Sequence, residues 1–158
     1  MWEMQTKRVN VRARRKGREL ALQALYQLEI TSESAEQSLR AFWNSFESTK
    51  AAREFALELV RGVLARREEI DALIAGASEH WRIERLSRID LNVIRIAVYE
   101  LTSPPALPVE IALNEAIEIA RRFGTEESAA FVNGVLDQVA GRLGLKAPRE
   151  GEPAKGDG

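Results

Sequence analysis

Apolar residues recur at helical spacing along most of the chain. Leu20, Leu25 and Leu28 lie on one stripe of a first predicted helix, over roughly residues 13–30, with polar side chains on the opposite face. No stretch shows the alternating pattern of a β-strand, so the predicted fold class is an all-α bundle of about six or seven helices. The same periodicity predicts a short helix around residues 39–46, a long helix near 49–75, a nearly all-apolar and therefore buried helix near 88–102, a helix at 109–123 and a last helix ending near Leu143.

Polar and small residues predict where several of these helices begin and end. Ser87 is a candidate N-cap of the buried helix, because its hydroxyl can accept a hydrogen bond from an unpaired backbone amide of the first turn. Gly124 is expected to end the helix before it, and Thr125 to cap the last helix. Gly134 interrupts the last helical pattern at a cost of about 1 kcal/mol relative to alanine, so we expect another helix to approach closely there.

Positive charge is concentrated at the N-terminus. The whole chain has a formal net charge of −1, yet the first 18 residues hold a single acid, Glu3, among many basic side chains. A basic segment on an otherwise acidic body indicates a nucleic acid or an acidic partner. We expect a flexible basic arm at residues 1–12, a single helical domain at 13–143 and a tail of disordered composition at 144–158. The basic residues of this first segment are Lys7, Arg8, Arg12, Arg14, Arg15, Lys16 and Arg18.

The residue inventory argues against catalysis and metal binding. The chain has no cysteine and one histidine, His80, which excludes thiolate and histidine-rich metal sites and leaves one place for a catalytic triad. No apolar run has the length of a membrane span, and no signal-peptide core follows the basic start. We therefore expect a cytoplasmic protein that is not an enzyme and needs no cofactor or metal. Four glutamates on predicted helices are expected to be solvated or to complement helix dipoles: Glu115, Glu118, Glu126 and Glu127.

Two further features bear on a nucleic-acid partner. Arg14 and Arg18 continue the core-facing line of Ala21 and Leu25 on the first helix. Because guanidinium groups do not belong in a dry core, we expect this helix to project past the bundle and to expose its arginines. Phe131 is an aromatic residue for which core packing and stacking against a base are both open.

Three segments resemble the NusB family of bacterial transcription antitermination factors. They are RARRKGRELALQALY (Arg12–Tyr26), RIDLNVIRIAVYEL (Arg88–Leu101) and VEIALNEAIEIARRFGTEESAAFVNGVLDQVAG (Val109–Gly141). The strings NEAIEIARRFG and FVNGVLD are long and specific, whereas residues 31–80 are not diagnostic.

This resemblance implies an all-helical protein that binds the single-stranded boxA element of ribosomal RNA leaders. It implies binding together with the ribosomal protein NusE, and an indirect effect on the RNA polymerase elongation complex. The positions that match the family's RNA-binding residues are Arg14, Arg15, Lys16, Arg18, Glu127, Phe131 and Asn133; those that match its NusE-binding surface are Tyr26, Asp90 and Glu100.

One departure and two alternatives accompany the resemblance. Many family members carry a basic residue immediately before the phenylalanine of the FVNG string, where this chain has Ala130. A related domain targets a ribosomal RNA cytosine methyltransferase to its substrate, and the residues alone also allow a helical protein–protein adaptor. Relatives that it resembles are monomers or dimers, and the sequence leaves both states open, including a homodimer that hides the arginine face.

Overall fold

The computed structural model of the chain describes residues 2–30, 37, 39, 40, 43, 48–77 and 82–145, with side chains from Val11 onward. These residues form helices and connecting turns with no β-strand, which confirms the predicted all-α class. The elements are α1 (Trp2–Ile30), α2 (Lys50–Ala65), α3 (Arg67–Ala77), a short 3-10 helix (Ile83–Arg85), α4 (Arg88–Thr102), α5 (Val109–Phe123) and α6 (Ser128–Arg142).

Helix α1 is longer than the sequence pattern predicts. The segment expected as a flexible arm at residues 1–12 is helical from Trp2 onward, so the predicted start near residue 13 is wrong. The first ten residues lack an apolar period, but no glycine or proline occurs between residues 2 and 16 to interrupt a helix. Further along, Gly17 lets α1 approach α2 closely. A Cβ atom at this position would lie 2.7 Å from Cδ1 of Phe55 and 3.0 Å from the carbonyl oxygen of Ala52.

The long helix predicted near residues 49–75 is two helices, so that prediction is wrong. The chain turns at Arg66, whose φ of −112° and ψ of 18° are not helical. A straight helix over residues 50–77 would be about 42 Å long, roughly twice the length of α4. The turn lets α2 and α3 both pack against α4 and bury Val63 and Ile70.

Helix α4 lies at the centre of the bundle and contacts each of the five other α-helices defined above for the described residues. It is buried along nearly its whole length, as its apolar composition predicts. Ser87 caps it as expected, because the Ser87 hydroxyl accepts a hydrogen bond from the backbone N–H of Asp90 at 3.0 Å.

Helices α5 and α6 pack against each other, and Gly124 ends α5 as predicted. The predicted cap by Thr125 is wrong. The Thr125 backbone N–H instead donates to the hydroxyl of Ser128, the buried first residue of α6, at 2.9 Å. The close approach predicted at Gly134 is also wrong, since a Cβ atom there would meet nothing within 4 Å. This glycine faces solvent, where no packing demands it.

Several predicted features lie largely or wholly outside the described residues. Of the short helix predicted around residues 39–46, Leu39 is described and is buried in the core. His80 and residues 146–158 lie outside. In the part of the chain that the structure describes, no helix has the length and apolar character needed to cross a membrane. Nor do the acidic side chains described there form a group of three that could hold a metal ion.

Candidate nucleic-acid interface

The basic side chains of α1 that were predicted to act together fall into two environments. Arg14, Arg15 and Lys16 are exposed on the surface of the bundle. The side chain of Arg18, one turn further along the same helix, is only 5% exposed. The expectation that α1 projects past the bundle and exposes all its arginines is therefore wrong for Arg18.

Arg18 is buried because the bundle supplies carboxylates to meet it. Its Nε and Nη2 atoms donate to the two carboxylate oxygens of Glu100 at 2.7 and 2.9 Å, and Nη1 lies 3.7 Å from Glu115. A bidentate ion pair of this kind allows a guanidinium group to be buried, because both charged groups keep their hydrogen bonds. The sequence contained a signal for it, namely a glutamate within the otherwise apolar end of α4.

Glu100 consequently has a visible structural role. Both of its oxygens accept hydrogen bonds from Arg18, and it is 9% exposed. It lies ten residues, or about 15 Å, along α4 from Asp90. The two candidate partner-binding residues of α4 thus occupy opposite ends of that helix.

Arg15 is exposed but held in place. Its Nε atom donates to Oε1 of Glu115 at 3.0 Å, and this hydrogen bond, together with the negative charge, raises the pKa of Arg15. The Glu115 side chain is only 12% exposed, so the expectation that it is solvated is wrong, whereas Glu118 is 59% exposed. Glu115 therefore joins an exposed arginine to the buried Arg18.

Arg14 lies over the ring of Phe55 in α2, with its guanidinium carbon 4.9 Å from the ring centroid. This distance is within the range of a cation–π interaction. The pair borders a cleft of about 80 Å³ whose wall includes Tyr99 and the Pro104–Pro105 turn. Phe55 was not identified from the sequence, because its place beside Arg14 follows from the packing of two helices far apart in the chain.

A basic residue that the sequence did not single out lies where α5 meets α1. The Nη1 atom of Arg122 donates to Oε1 of Glu19 at 2.8 Å, and its guanidinium carbon lies 5.4 Å from the centroid of the Phe123 ring. The Arg122 side chain is 67% exposed. Arg122 lies within the string NEAIEIARRFG, which carried the resemblance to the family, but the sequence assigned Arg122 no role.

The remaining candidate RNA-binding residues lie at the start of α6. Glu127 is the exposed residue before the helix, Phe131 is half-buried against the core, and Asn133 is exposed. Phe131 therefore packs on the core without being fully enclosed by it. These residues are carried by the helix that packs on α5, and α5 in turn contacts α1 through Glu115 and Arg122.

The candidate partner-binding residues Tyr26 and Asp90 lie where the end of α1 meets the start of α4. Tyr26 is 37% exposed, and one carboxylate oxygen of Asp90 is buried with no hydrogen-bond partner among the described residues. The two helices are joined here by Glu29, which accepts a hydrogen bond from Arg95 at 2.9 Å. Arg95 also donates to both oxygens of Asp71 in α3, at 2.8 and 2.9 Å. The buried Arg95 therefore links α1, α3 and α4 through ion pairs at this end of the bundle.

Comparison with known proteins agrees with this architecture. A sequence model described as the NusB family matches residues 15–141. The protein named transcription antitermination protein NusB of Myxococcus xanthus is 49% identical over 132 residues, which cover 81% of this chain and 94% of that protein.

Solved structures with the same fold include relatives in this family. NusB of T. maritima superposes with a TM-score of 0.72 at 40% identity, over 87% of this chain and 94% of that one. A structure described as antitermination factors NusB and NusE in complex with dsRNA gives a TM-score of 0.71 at 25% identity, over 83% and 98% of the two chains. On the extent of these matches, the chain belongs to the NusB family.

Proposed function

We propose that the chain is a transcription antitermination factor. It binds the single-stranded boxA RNA of ribosomal RNA leaders together with the ribosomal protein NusE, and through that complex it alters elongation by RNA polymerase. The observation that carries the proposal is the exposed basic group of Arg14, Arg15 and Lys16 on a member of the NusB family. The NusB–NusE structure in complex with RNA supports the choice of partners.

The exposed basic group is suited to holding an RNA backbone. Arg14 rests on Phe55 and Arg15 is held by Glu115, so both guanidinium groups lose little conformational freedom when a phosphate binds. With three phosphates neutralised, the logarithm of the binding constant should fall with the logarithm of salt concentration with a slope of about −2. Arg18 supports this group from the core, because Glu100 occupies its donors.

The start of α6 is the proposed base-binding part of the surface. The half-buried Phe131 offers an aromatic ring, and Glu127, about one helical turn before it, offers a carboxylate. Asn133 offers an exposed amide on the other side of α6, two residues after Phe131. Base recognition by stacking and hydrogen bonding complements the phosphate contacts of α1, which carry no sequence information.

The proposed NusE surface comprises Tyr26 and Asp90. Tyr26 lies eleven residues from Arg15, or about 16 Å along α1. RNA and NusE therefore engage separate parts of one helix, its middle and its C-terminal end, and can be bound at the same time. An RNA site with few phosphate contacts is weak on its own, and a second protein that contacts the same RNA raises the overall affinity.

Fluorescence anisotropy with labelled RNA tests the proposal. A boxA RNA, a scrambled RNA and a duplex of the same length are titrated with the protein, with and without NusE, at two salt concentrations. We expect selective binding of the boxA strand that tightens with NusE. Equal binding of the boxA and scrambled strands, unchanged by NusE, would instead favour the protein–protein adaptor.

Two variants act as controls for each other. Arg15→Gln is expected to weaken RNA binding that is measured without NusE. Tyr26→Ala is expected to leave that binding unchanged and to reduce the gain in affinity that NusE provides. The reverse ranking, in variants with unchanged circular dichroism, would refute the assignment of the two surfaces.

The absence of an enzymatic activity and a cytoplasmic location are also part of the proposal. A chain with no cysteine and a single histidine has no thiol nucleophile and one imidazole for acid–base chemistry. Incubating the protein with boxA RNA should leave the length and mass of the RNA unchanged. Cleavage or modification of the RNA would show an enzyme instead.

A further inference from the structure

The proposed base-binding part of the surface lacks positive charge of its own. From Gly124 to Gly141 the chain contains no lysine or arginine, while Glu126, Glu127 and Asp137 are acidic. An RNA strand that reached Phe131 would bring phosphates to this region, and each unpaired phosphate would be repelled by these carboxylates. A cation from another element has to lie beside the start of α6 if the strand is to pass there.

Arg122 is the basic side chain placed to meet this need. It lies in the last turn of α5, two residues before the turn that leads into α6. Its partner Glu19 is one helical turn, or about 6 Å, from Arg15 on α1. The guanidinium group of Arg122 therefore continues the line of exposed basic groups across the junction between α1 and α5 toward α6.

The geometry of Arg122 also leaves it free to bind a second group. One of its nitrogens, Nη1, donates to Glu19, so other donors of the guanidinium remain for a phosphate. The ring of Phe123 beneath it restricts its motion. The neighbouring Arg121 differs, because its partner Glu118 lies on α5 itself, whereas the partner of Arg122 lies on α1.

We propose that Arg122 is a further RNA-binding residue, which holds a backbone phosphate between the basic group of α1 and the aromatic face of Phe131. The inference rests on the proposed function and extends its surface from α1 over α5. It predicts four phosphate contacts in place of three, since Arg14, Arg15 and Lys16 supply the others.

The experiment compares Arg122→Gln with Arg121→Gln by anisotropy with boxA RNA over a series of salt concentrations. The two changes remove the same charge from adjacent residues that are 67% and 64% exposed. We expect Arg122→Gln to weaken binding about 3- to 10-fold and to reduce the salt slope by about 0.7, the value of one phosphate contact on a single strand. Arg121→Gln should change the affinity less than about 2-fold, because it removes no direct contact.

Glu19→Gln separates RNA binding from a structural effect. This variant breaks the ion pair with Arg122 but leaves the cation in place and removes a negative charge near the RNA. We expect it to tighten RNA binding. If Glu19→Gln weakens binding as much as Arg122→Gln does, the ion pair and not the phosphate contact is responsible, and the inference is wrong.

The failure of this inference differs from the failure of the proposed function. Equal effects of Arg122→Gln and Arg121→Gln, in a protein that binds boxA RNA selectively and is weakened by Arg15→Gln, would overturn the role of Arg122 alone. Absence of selective binding by the unmodified protein would overturn the proposed function, and this inference with it.

Discussion

Replacing Arg18 with methionine should destabilise the fold far more than it changes RNA binding. The change keeps a long apolar side chain but removes both hydrogen bonds to Glu100, whose side chain is 8% exposed. It also removes the ion pair between Arg18 and Glu115. Two carboxylates would then remain in the interior with reduced compensation.

The magnitude follows from the cost of leaving a buried charge without its partner, which is about 3–5 kcal/mol. In a chain of this length each kcal/mol lowers the melting temperature by about 2–4 °C, so a decrease of roughly 6–20 °C is expected. The exposed Arg15 provides the contrast. Arg15→Gln should cost less than about 1 kcal/mol of stability while reducing the salt slope of RNA binding.

Urea unfolding followed by circular dichroism at 222 nm measures this difference. The double variant Arg18→Met/Glu100→Met is the decisive control, because it replaces most of the buried pair with apolar groups and should recover a large part of the lost stability. A loss of less than about 1 kcal/mol in the single variant, or a double variant no more stable than the single one, would refute the reasoning.

Three further predictions concern packing and pH. Gly17→Ala should lower the free energy of unfolding by about 1–3 kcal/mol, because its Cβ would overlap the ring of Phe55, and an unchanged urea midpoint would contradict this. Gly134→Ala should raise it by up to about 1 kcal/mol, since the site is open and alanine favours helix; a loss of stability would show a hidden contact. The hydrogen bond from Arg66 lowers the pKa of Glu69 below 4.5, so their pairing stabilises the fold above that pH and is lost as pH falls through the lower folded-state value. Titration by NMR should show this low pKa, and a value at or above 4.5 would exclude the pairing in solution.

The helices were predictable where local residues determine them. The buried character of α4 follows from its composition, and the cap at Ser87 and the end of α5 at Gly124 follow from local hydrogen bonding and backbone preference. The end of α2 at Arg66 was missed because it depends on tertiary packing: α2 and α3 both pack against α4, which is about half as long as one continuous helix would be. The sequence predicted that the Thr125 hydroxyl accepts a hydrogen bond at the start of α6, whereas the Ser128 hydroxyl accepts one from the Thr125 backbone N–H. Both hydroxyls suit a helix start, and only the packing shows that Ser128 is the buried one.

The sequence predicted which types of residue form the candidate site, but not which of them lie together. Arginine spacing on α1 indicated one face, but Arg18 meets Glu100, which is 82 residues away in sequence, and is drawn into the core. Glu115 and Arg122 acquire their partners in the same way, across 100 and 103 residues. Such pairings follow from tertiary packing and have no local pattern.

The two ion pairs between α1 and α4 fix how far α1 is shifted along its axis relative to α4. Arg18 meets Glu100 near one end of the shared length, and Glu29 meets Arg95 near the other, so the helices run antiparallel. An apolar stripe alone allows α1 to slip by one turn, about 5.4 Å, because its leucines and alanines repeat at that interval. Such a slip would separate both pairs at once and leave Arg18, Glu100 and Glu29 without these partners, while Arg95 would keep only Asp71. The pairs therefore select a single axial register for α1, and the exposed arginine Arg15 is delivered to the same place beside α5 in every folded molecule.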